Sequence, residues 1–260
     1  MFVRSDGPTP AGGAYSIAFF RDSEGRDCPR EEASLVCIHE YAEDGKLLQT
    51  TVGTCTPKRL PSLLAGCPWH VIACVVIILF ALFSCAGWIY ETVENVFTFG
   101  GVYLRASLML PWCPIYGVGG LVIVGMLEPV RRRIATRVPR AVQIVVIAVG
   151  IYVLAAAVEL AGSYACEAAM GYVPWDYSDA WLNFDGRIAP AYTLRFVVLG
   201  LVALYGLYPV IARWAKGHRR GALIAAIAIV ALFVLDNALE QAGVWLQVKD
   251  ALVQYGINHW

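Results

Sequence analysis

Polar and apolar positions are divided unevenly along this chain. Up to about residue 60 they interleave in short runs; beyond it, long apolar stretches alternate with short polar ones. In the first part, Ala14 to Phe20, Ser34 to Tyr41 and Leu47 to Thr54 are rich in β-forming residues. Glu43-Asp44-Gly45-Lys46 separates the last two. An Asp-Gly pair between two such runs predicts a hairpin. The pattern predicts a small antiparallel β module of about three strands, followed by a linker that ends at Pro57-Lys58-Arg59-Leu60-Pro61. Three strands bury little apolar surface alone, so the module is expected to lean on another surface or a second copy.

The second part reads as membrane-spanning helices. A hydrocarbon core of about 30 Å needs about 20 apolar residues at 1.5 Å each. Trp69 to Tyr90 is a run of 22 residues without Asp, Glu, Lys or Arg. Further spans are predicted at 106–127, 141–163, 196–212 and 221–243. The second is interrupted by Pro111, Pro114 and glycines. The expected fold is an all-α polytopic membrane protein of about five transmembrane helices. It carries a small N-terminal antiparallel β module at 1–60, ahead of a transmembrane domain at 61–260. Val244 to Trp260 could instead lie along the interface as an amphipathic helix, which makes four or six spans the alternatives.

Composition agrees. Hydrophobic residues make up 58% and charged residues 15% of the 260 positions, against about 25% charged in ordinary soluble domains. That excludes a disordered chain and a nucleic-acid binder. No apolar signal-peptide region opens the sequence. Charge placement orients the spans. Lys58, Arg59, Arg131, Arg132, Arg133, Arg137, Arg140, Arg213, Lys216, Arg219 and Arg220 fall at one set of span ends, with Glu128 as their one acid. The opposite ends hold Arg105, Arg187, Arg195 and Lys249 against ten acids. The positive-inside rule then puts the N-terminus in the cytoplasm and the C-terminus outside a plasma membrane.

Ionisable residues within spans are functional candidates by default. Helical spacing gathers Glu91, Glu94 and Asn95 on one face, Glu159 with Ser163, and Asp236 with Glu240. The loop from Trp175 to Arg195 adds Asp176, Asp179, Asp185, Arg187 and Arg195 at the same end. Together with Arg105 these residues predict one polar layer at the outer face, either a substrate vestibule or relay, or a set of ion pairs pinning helix ends. The loop 175–188, with its Trp, Tyr, Asn and Gly, is expected to fold as an ordered cap with Arg187 paired to a carboxylate. Asp236 is expected to face the bundle interior, toward the Arg195 end of the fourth span. The stretch Pro111 to Gly120 is expected to line a cavity or to form a packing surface of small residues.

Other chemistry is thinly represented. Cys28, Cys37, His39 and Cys55 lie in the head without a Cys-x-x-Cys pair, so small core residues are expected rather than zinc ligands. No P-loop and no His-Glu-x-x-His occur, and no cofactor is expected. An acid–base enzyme using Asp, Glu, Arg and Tyr stays open.

Three stretches carry a resemblance. They are Gly87-Trp88-Ile89-Tyr90-Glu91; Arg105 through Pro111, Pro114-Ile115-Tyr116-Gly117 and Gly119; and Glu159, Glu167 and Trp175-Asp176-Tyr177-Ser178 with Asn183 and Gly186-Arg187-Ile188. Over roughly residues 70 to 210 the chain resembles a family of bacterial membrane proteins known as CmpB-type, or putative ABC-transporter type IV, permeases. Leu104, Ala106 and Leu110 depart from that family's pattern, which has Asn, Gly and Gly there. The resemblance implies a permease-like subunit in the lipid bilayer whose ATPase is a separate chain. The alternatives from the residues alone are a membrane-embedded enzyme acting on a lipid or cell-envelope substrate, and a sensor or assembly protein signalling through the β head. The substrate or relay candidates are Glu91, Glu94, Arg105, Tyr116, Glu159, Glu167, Trp175, Asp176, Tyr177, Asn183, Arg187, Arg195 and Asp236.

Overall fold

The computed structural model describes residues 2–55, 62–100, 102–104, 110–173, 175–244, 248, 250 and 257–259. The expected linker at 57–61, Arg105, Lys249 and most of the segment after Val244 lie outside the described residues. The chain divides into two compact units: Met1–Ala65 with Pro129–Ile144, and Gly66–Glu128 with Val145–Trp260.

The first unit contains a four-stranded antiparallel meander of β1 (Phe2–Asp6), β2 (Tyr15–Arg21), β3 (Leu35–Tyr41) and β4 (Leu47–Thr54), in that order. About three strands were expected, and β1 is the one added. Its five residues are all exposed and show no buried alternation. Only its pairing with the edge of β2, Phe2 opposite Phe19 through Asp6 opposite Tyr15, makes it a strand. The Asp44-Gly45 turn joins β3 to β4, with Gly45 at φ +81°. One face of the sheet packs Phe20, Cys28 and Ala33 against Ala18, Val36 and Cys55. Cys37 and His39 sit at alternate positions of β3, in register with Phe19 and Ile17. The His39 ring meets that of Phe19 edge-on at 5.1 Å. The four metal candidates are thereby split between the two faces. Within the same unit Arg132 reaches Glu32 at 3.3 Å, both side chains largely buried.

The second unit is a helical bundle. Its helices are α1 (Trp69–Phe99), α2 (Pro114–Ile134), α3 (Arg140–Met170), α4 (Pro190–Gly217) and α5 (Arg219–Gln241); the ends of α2 and α3 belong to the first unit. A short parallel pair, β5 (Val102–Leu104) and β6 (Ile257–His259), joins segments distant in sequence. Four helices, α1, α3, α4 and α5, are long and apolar enough to cross a membrane. The expected second span, 106–127, is corrected: its helix is α2, beginning at Pro114, and it is not among the four. The shift carries Glu128, Arg131, Arg132 and Arg133 into the helix, and these with four glycines dilute its apolar content. Pro114 suits the first helical position, because its missing N–H would have no partner there.

The outer surface is apolar: Val145, Val149 and Val153, one turn apart on α3, are each about 60% exposed. Lipid is the solvent such a stripe requires. Conversely, Ser84, Asn95, Glu159, Ser163, Thr193 and Asp236 are buried.

Glycine sets how closely α2 approaches its neighbours. A Cβ at Gly87 of α1 would lie 2.1 Å from the Tyr116 ring, and one at Gly120 would lie 2.2 Å from Phe83. Rising numbers on α2 meet falling numbers on α1, so the two run antiparallel. Gly162 against Ile115 and Gly150 against Leu127 set α3 antiparallel to α2 in the same way. Gly200 of α4 packs on Ile151 of α3.

Ala203–Leu207 within α4 is a π-helical turn. Pro209 has no N–H, so the Tyr205 carbonyl loses its ordinary α-helical donor and the helix takes up one wide turn.

Candidate functional site

Antiparallel packing brings the C-terminal ends of α1 and α3 together with the N-terminal ends of α2 and α4. A cavity of about 380 Å³ opens there. Helix α1 contributes Tyr90, Glu91, Glu94 and Asn95, a face set by three- and four-residue spacing. Tyr116 and Gly119 come from α2, Ala155, Val158 and Glu159 from α3, and Tyr192, Arg195, Phe196 and Leu199 from α4. Trp175, Asp176 and Tyr177 close it from the loop. Ile123, Ala203 and Leu207 lie at its apolar end.

Glu159 is 6% exposed. Its carboxyl group accepts the Thr193 hydroxyl at 2.8 Å and the Tyr177 hydroxyl at 3.5 Å. Burying a carboxyl group in apolar surroundings is costly unless it is hydrogen-bonded, and each of its oxygens accepts one of these hydroxyls. Tyr177 stacks on Tyr192 at 4.3 Å with the rings 8° from parallel. Burial, and then the nearby carboxyl groups of Glu159, Glu94 and Glu91, push the Tyr177 phenol above its ordinary range. It therefore acts as a hydrogen-bond donor. Arg195 pairs with Glu94, donates to the Tyr90 hydroxyl at 3.4 Å, and lies over the Tyr192 ring at 4.7 Å. The rings of Tyr90, Tyr116 and Phe196 contact one another at 5.6–6.3 Å. Tyr116 is also hydrogen-bonded to Glu91.

The loop that closes the cavity is tied down throughout. Tyr177 N–H donates to the Gly186 carbonyl at 2.8 Å, and Gly186 N–H to the Asn183 side chain at 3.0 Å. The Asn183 amide donates in turn to the Ser178 and Ala180 carbonyls. Trp175 Nε1 donates to the Arg187 carbonyl at 2.9 Å. Asp176 accepts the Ser178 hydroxyl and amide at 2.5 and 2.9 Å, and these bonds hold its carboxyl below the ordinary carboxylate range. Gly186 sits at φ +64°, and a Cβ there would meet Ser178 Oγ at 2.7 Å. Arg187 pairs with Glu167 at 2.6 Å and Asp185 at 2.9 Å, reaches Ser163 at 3.4 Å, and covers the Tyr164 ring at 4.2 Å.

Eight of the thirteen sequence candidates thus line the cavity: Glu91, Glu94, Tyr116, Glu159, Trp175, Asp176, Tyr177 and Arg195. Glu167, Asn183 and Arg187 hold the loop instead, and Arg105 lies outside the described residues. Asp236 is buried, as expected, but not beside the cavity. It accepts the Leu110 backbone N–H at 3.3 Å. Arg195, the cation expected near Asp236, is engaged by Glu94. The Pro111 to Gly120 stretch serves both expected roles: Gly117 and Gly120 are packing contacts, while Tyr116 and Gly119 face the cavity. Sequence reasoning missed Thr193, Tyr90, Tyr192 and Phe196. The available signal was the run Tyr192-Thr193-x-Arg195-Phe196, polar and aromatic at the entry of an otherwise apolar helix.

Among the described residues, no cluster of His, Cys, Asp and Glu could hold a metal ion. No curated protein and no solved structure matches the chain. One family model does, over residues 78–240, which covers most of the helical bundle and leaves the β module outside. On that match, the chain belongs to the family described as Putative ABC-transporter type IV.

Proposed function

We propose that this protein is the membrane-spanning, permease-like subunit of a transporter, and that the cavity between α1, α2, α3 and α4 is its substrate vestibule. The observation that carries this reading is the cavity itself. It is a half-open cleft whose polar groups converge from four helices and a tied-down loop, within a bundle whose outer surface suits lipid. Sites of this size, mostly apolar with a few convergent polar groups, are the usual binding sites of small molecules. Membership of a transporter-type family supports the same reading.

The vestibule end faces outward in this account, and the β module lies in the cytoplasm. Arg131, Arg132, Arg133, Arg137 and Arg140 belong to the same compact unit as the β module, and arginine-rich ends favour the cytoplasmic side. Helix α2, 21 residues long and antiparallel to both α1 and α3, is in this account a fifth, more polar crossing, so the chain reverses direction four times and the C-terminus emerges outside. The energy source in this reading is an ATPase on a separate chain. Purification of the tagged full chain from its native membrane should bring down an ATP-hydrolysing partner. Repeated isolation without any ATPase, together with turnover of a lipid by the pure protein, would replace the permease with a membrane enzyme.

A further inference from the structure

Glu159 occupies an unusual position for a buried acid. It lies in the wall of the cavity, and its carboxyl group accepts from two neutral hydroxyls, those of Thr193 and Tyr177. The nearest cation of the lining, Arg195, is held by Glu94 across the cavity. The surrounding wall is aromatic. Tyr177 and Tyr192 form one stacked pair, and Tyr90, Tyr116 and Phe196 form a second group. These rings already accept a positive charge within the protein, since the Arg195 guanidinium lies 4.7 Å from the Tyr192 centroid. Aromatic faces attract cations through their quadrupole, more so where water is excluded. Away from the loop the wall turns apolar at Ile123, Leu199 and Leu207. Leu207 is twelve residues beyond Arg195 on α4, roughly 18 Å along the helix.

From this arrangement we infer that the cavity binds an amphiphilic organic cation. Its amine or quaternary ammonium group sits at Glu159 among the tyrosine rings, and its apolar body points toward Leu199 and Leu207. The inference rests on the reading of the cavity as a binding site and adds the chemical class of its ligand. An anionic ligand would meet Glu91, Glu94 and Glu159 with Arg195 already engaged. A neutral polar ligand would gain nothing from the rings as cation acceptors.

The test is equilibrium binding to the purified full chain in detergent, with radiolabelled benzyltrimethylammonium and tetraphenylphosphonium as probes. Tetraphenylborate serves as the anion of the same shape as the latter. Saturable binding of at least one cation, with the borate bound at least tenfold more weakly, is expected. Glu159→Gln keeps the hydrogen-bonding shape and removes the charge; it should weaken the cation at least tenfold and leave the borate unchanged. Tyr177→Leu, in the loop, should also weaken the cation. Equal binding of cation and anion, or binding of neither cation by the wild-type protein, overturns the inference whether or not the variants fold. The permease reading stands or falls separately. Cation binding without any ATPase partner removes the permease and keeps the cation site, whereas an ATPase partner without cation binding does the reverse.

Discussion

Thr193 on α4 donates its hydroxyl hydrogen to Glu159 on α3 at 2.8 Å, and both residues are buried. The bond joins two helices at the mouth of the cavity and satisfies the most enclosed acid of its wall. Thr193→Val keeps the shape and removes the donor. A buried acceptor left short of a partner costs about 1–3 kcal/mol. Thr193→Val should therefore unfold at lower temperature in detergent, while Thr193→Ser should stay close to wild type. Equal melting of all three proteins would mean that this bond does not hold the helices together.

Gly87 and Gly125 make opposite predictions although both are helical glycines. A methyl group at Gly87 would fall inside the Tyr116 ring, whereas one at Gly125 meets nothing within 4 Å. Gly87→Ala must push α2 off α1, and overpacking of this kind costs about 1–3 kcal/mol. Gly125→Ala should be neutral or mildly stabilising, because alanine restricts the unfolded chain more than glycine does. Thermal unfolding of the two variants side by side distinguishes them; a Gly87→Ala protein as stable as Gly125→Ala contradicts the close approach of Tyr116.

Much of the bundle was legible in the sequence because apolar length and charge placement are local properties. The four apolar spans fall where their runs of uncharged residues lie. The shift of the second helix to Pro114–Ile134 was not legible. Its boundary is set by Pro114 and by contacts of Gly117 and Gly120 with α1, which are visible only once α1 is in place. The carboxyl groups of the site announced themselves, since charge in an apolar run stands out. Thr193 and Tyr192 did not, because a hydroxyl or a ring at a helix end is ordinary until its partner across the interface is known. Asp236 illustrates the same point. Its burial followed from its neighbours in sequence, but its Leu110 partner lies 126 positions away.

Arg187 is the chief anchor of the loop over the cavity. It joins the loop to Glu167 and Ser163 of α3 and to the Tyr164 ring. Arg187→Ala should make 175–188 sensitive to limited proteolysis in the intact protein. Arg187→Lys should restore only part of the protection, because an ammonium cannot reproduce the forked, ring-covering geometry of a guanidinium. Equal protection in all three proteins would show that the loop is held by its internal bonds alone.

Asp22 links the β module to pH. Burial works against its ionised form, but hydrogen bonds from the Arg26 amide and guanidinium and from the Glu24 amide outweigh this and hold its pKa below the ordinary value. A depressed folded-state pKa contributes stability that is fully present above the unfolded value of about 3.9 and is lost as pH falls through the folded one. Protection factors of the β2 and β3 amides in the full chain, taken relative to the intrinsic exchange rate at each pH, should therefore fall below about pH 4. Asp22→Asn should exchange faster at neutral pH and respond less to acid. An unchanged acid response in Asp22→Asn would assign the effect to other groups.

The central claim is that the cavity beside Glu159 opens to the outer face of the membrane. Accessibility of single cysteines in intact cells tests it most directly, in a background whose eight native cysteines are replaced by serine or alanine. The reagent is a membrane-impermeant trimethylammonium methanethiosulfonate. Val158→Cys lines the cavity, while Val149→Cys lies in the exposed apolar stripe of the same helix. The account predicts that Val158→Cys is modified from outside and Val149→Cys is not. Modification of Val158→Cys only in inside-out vesicles, or in neither preparation, would contradict it.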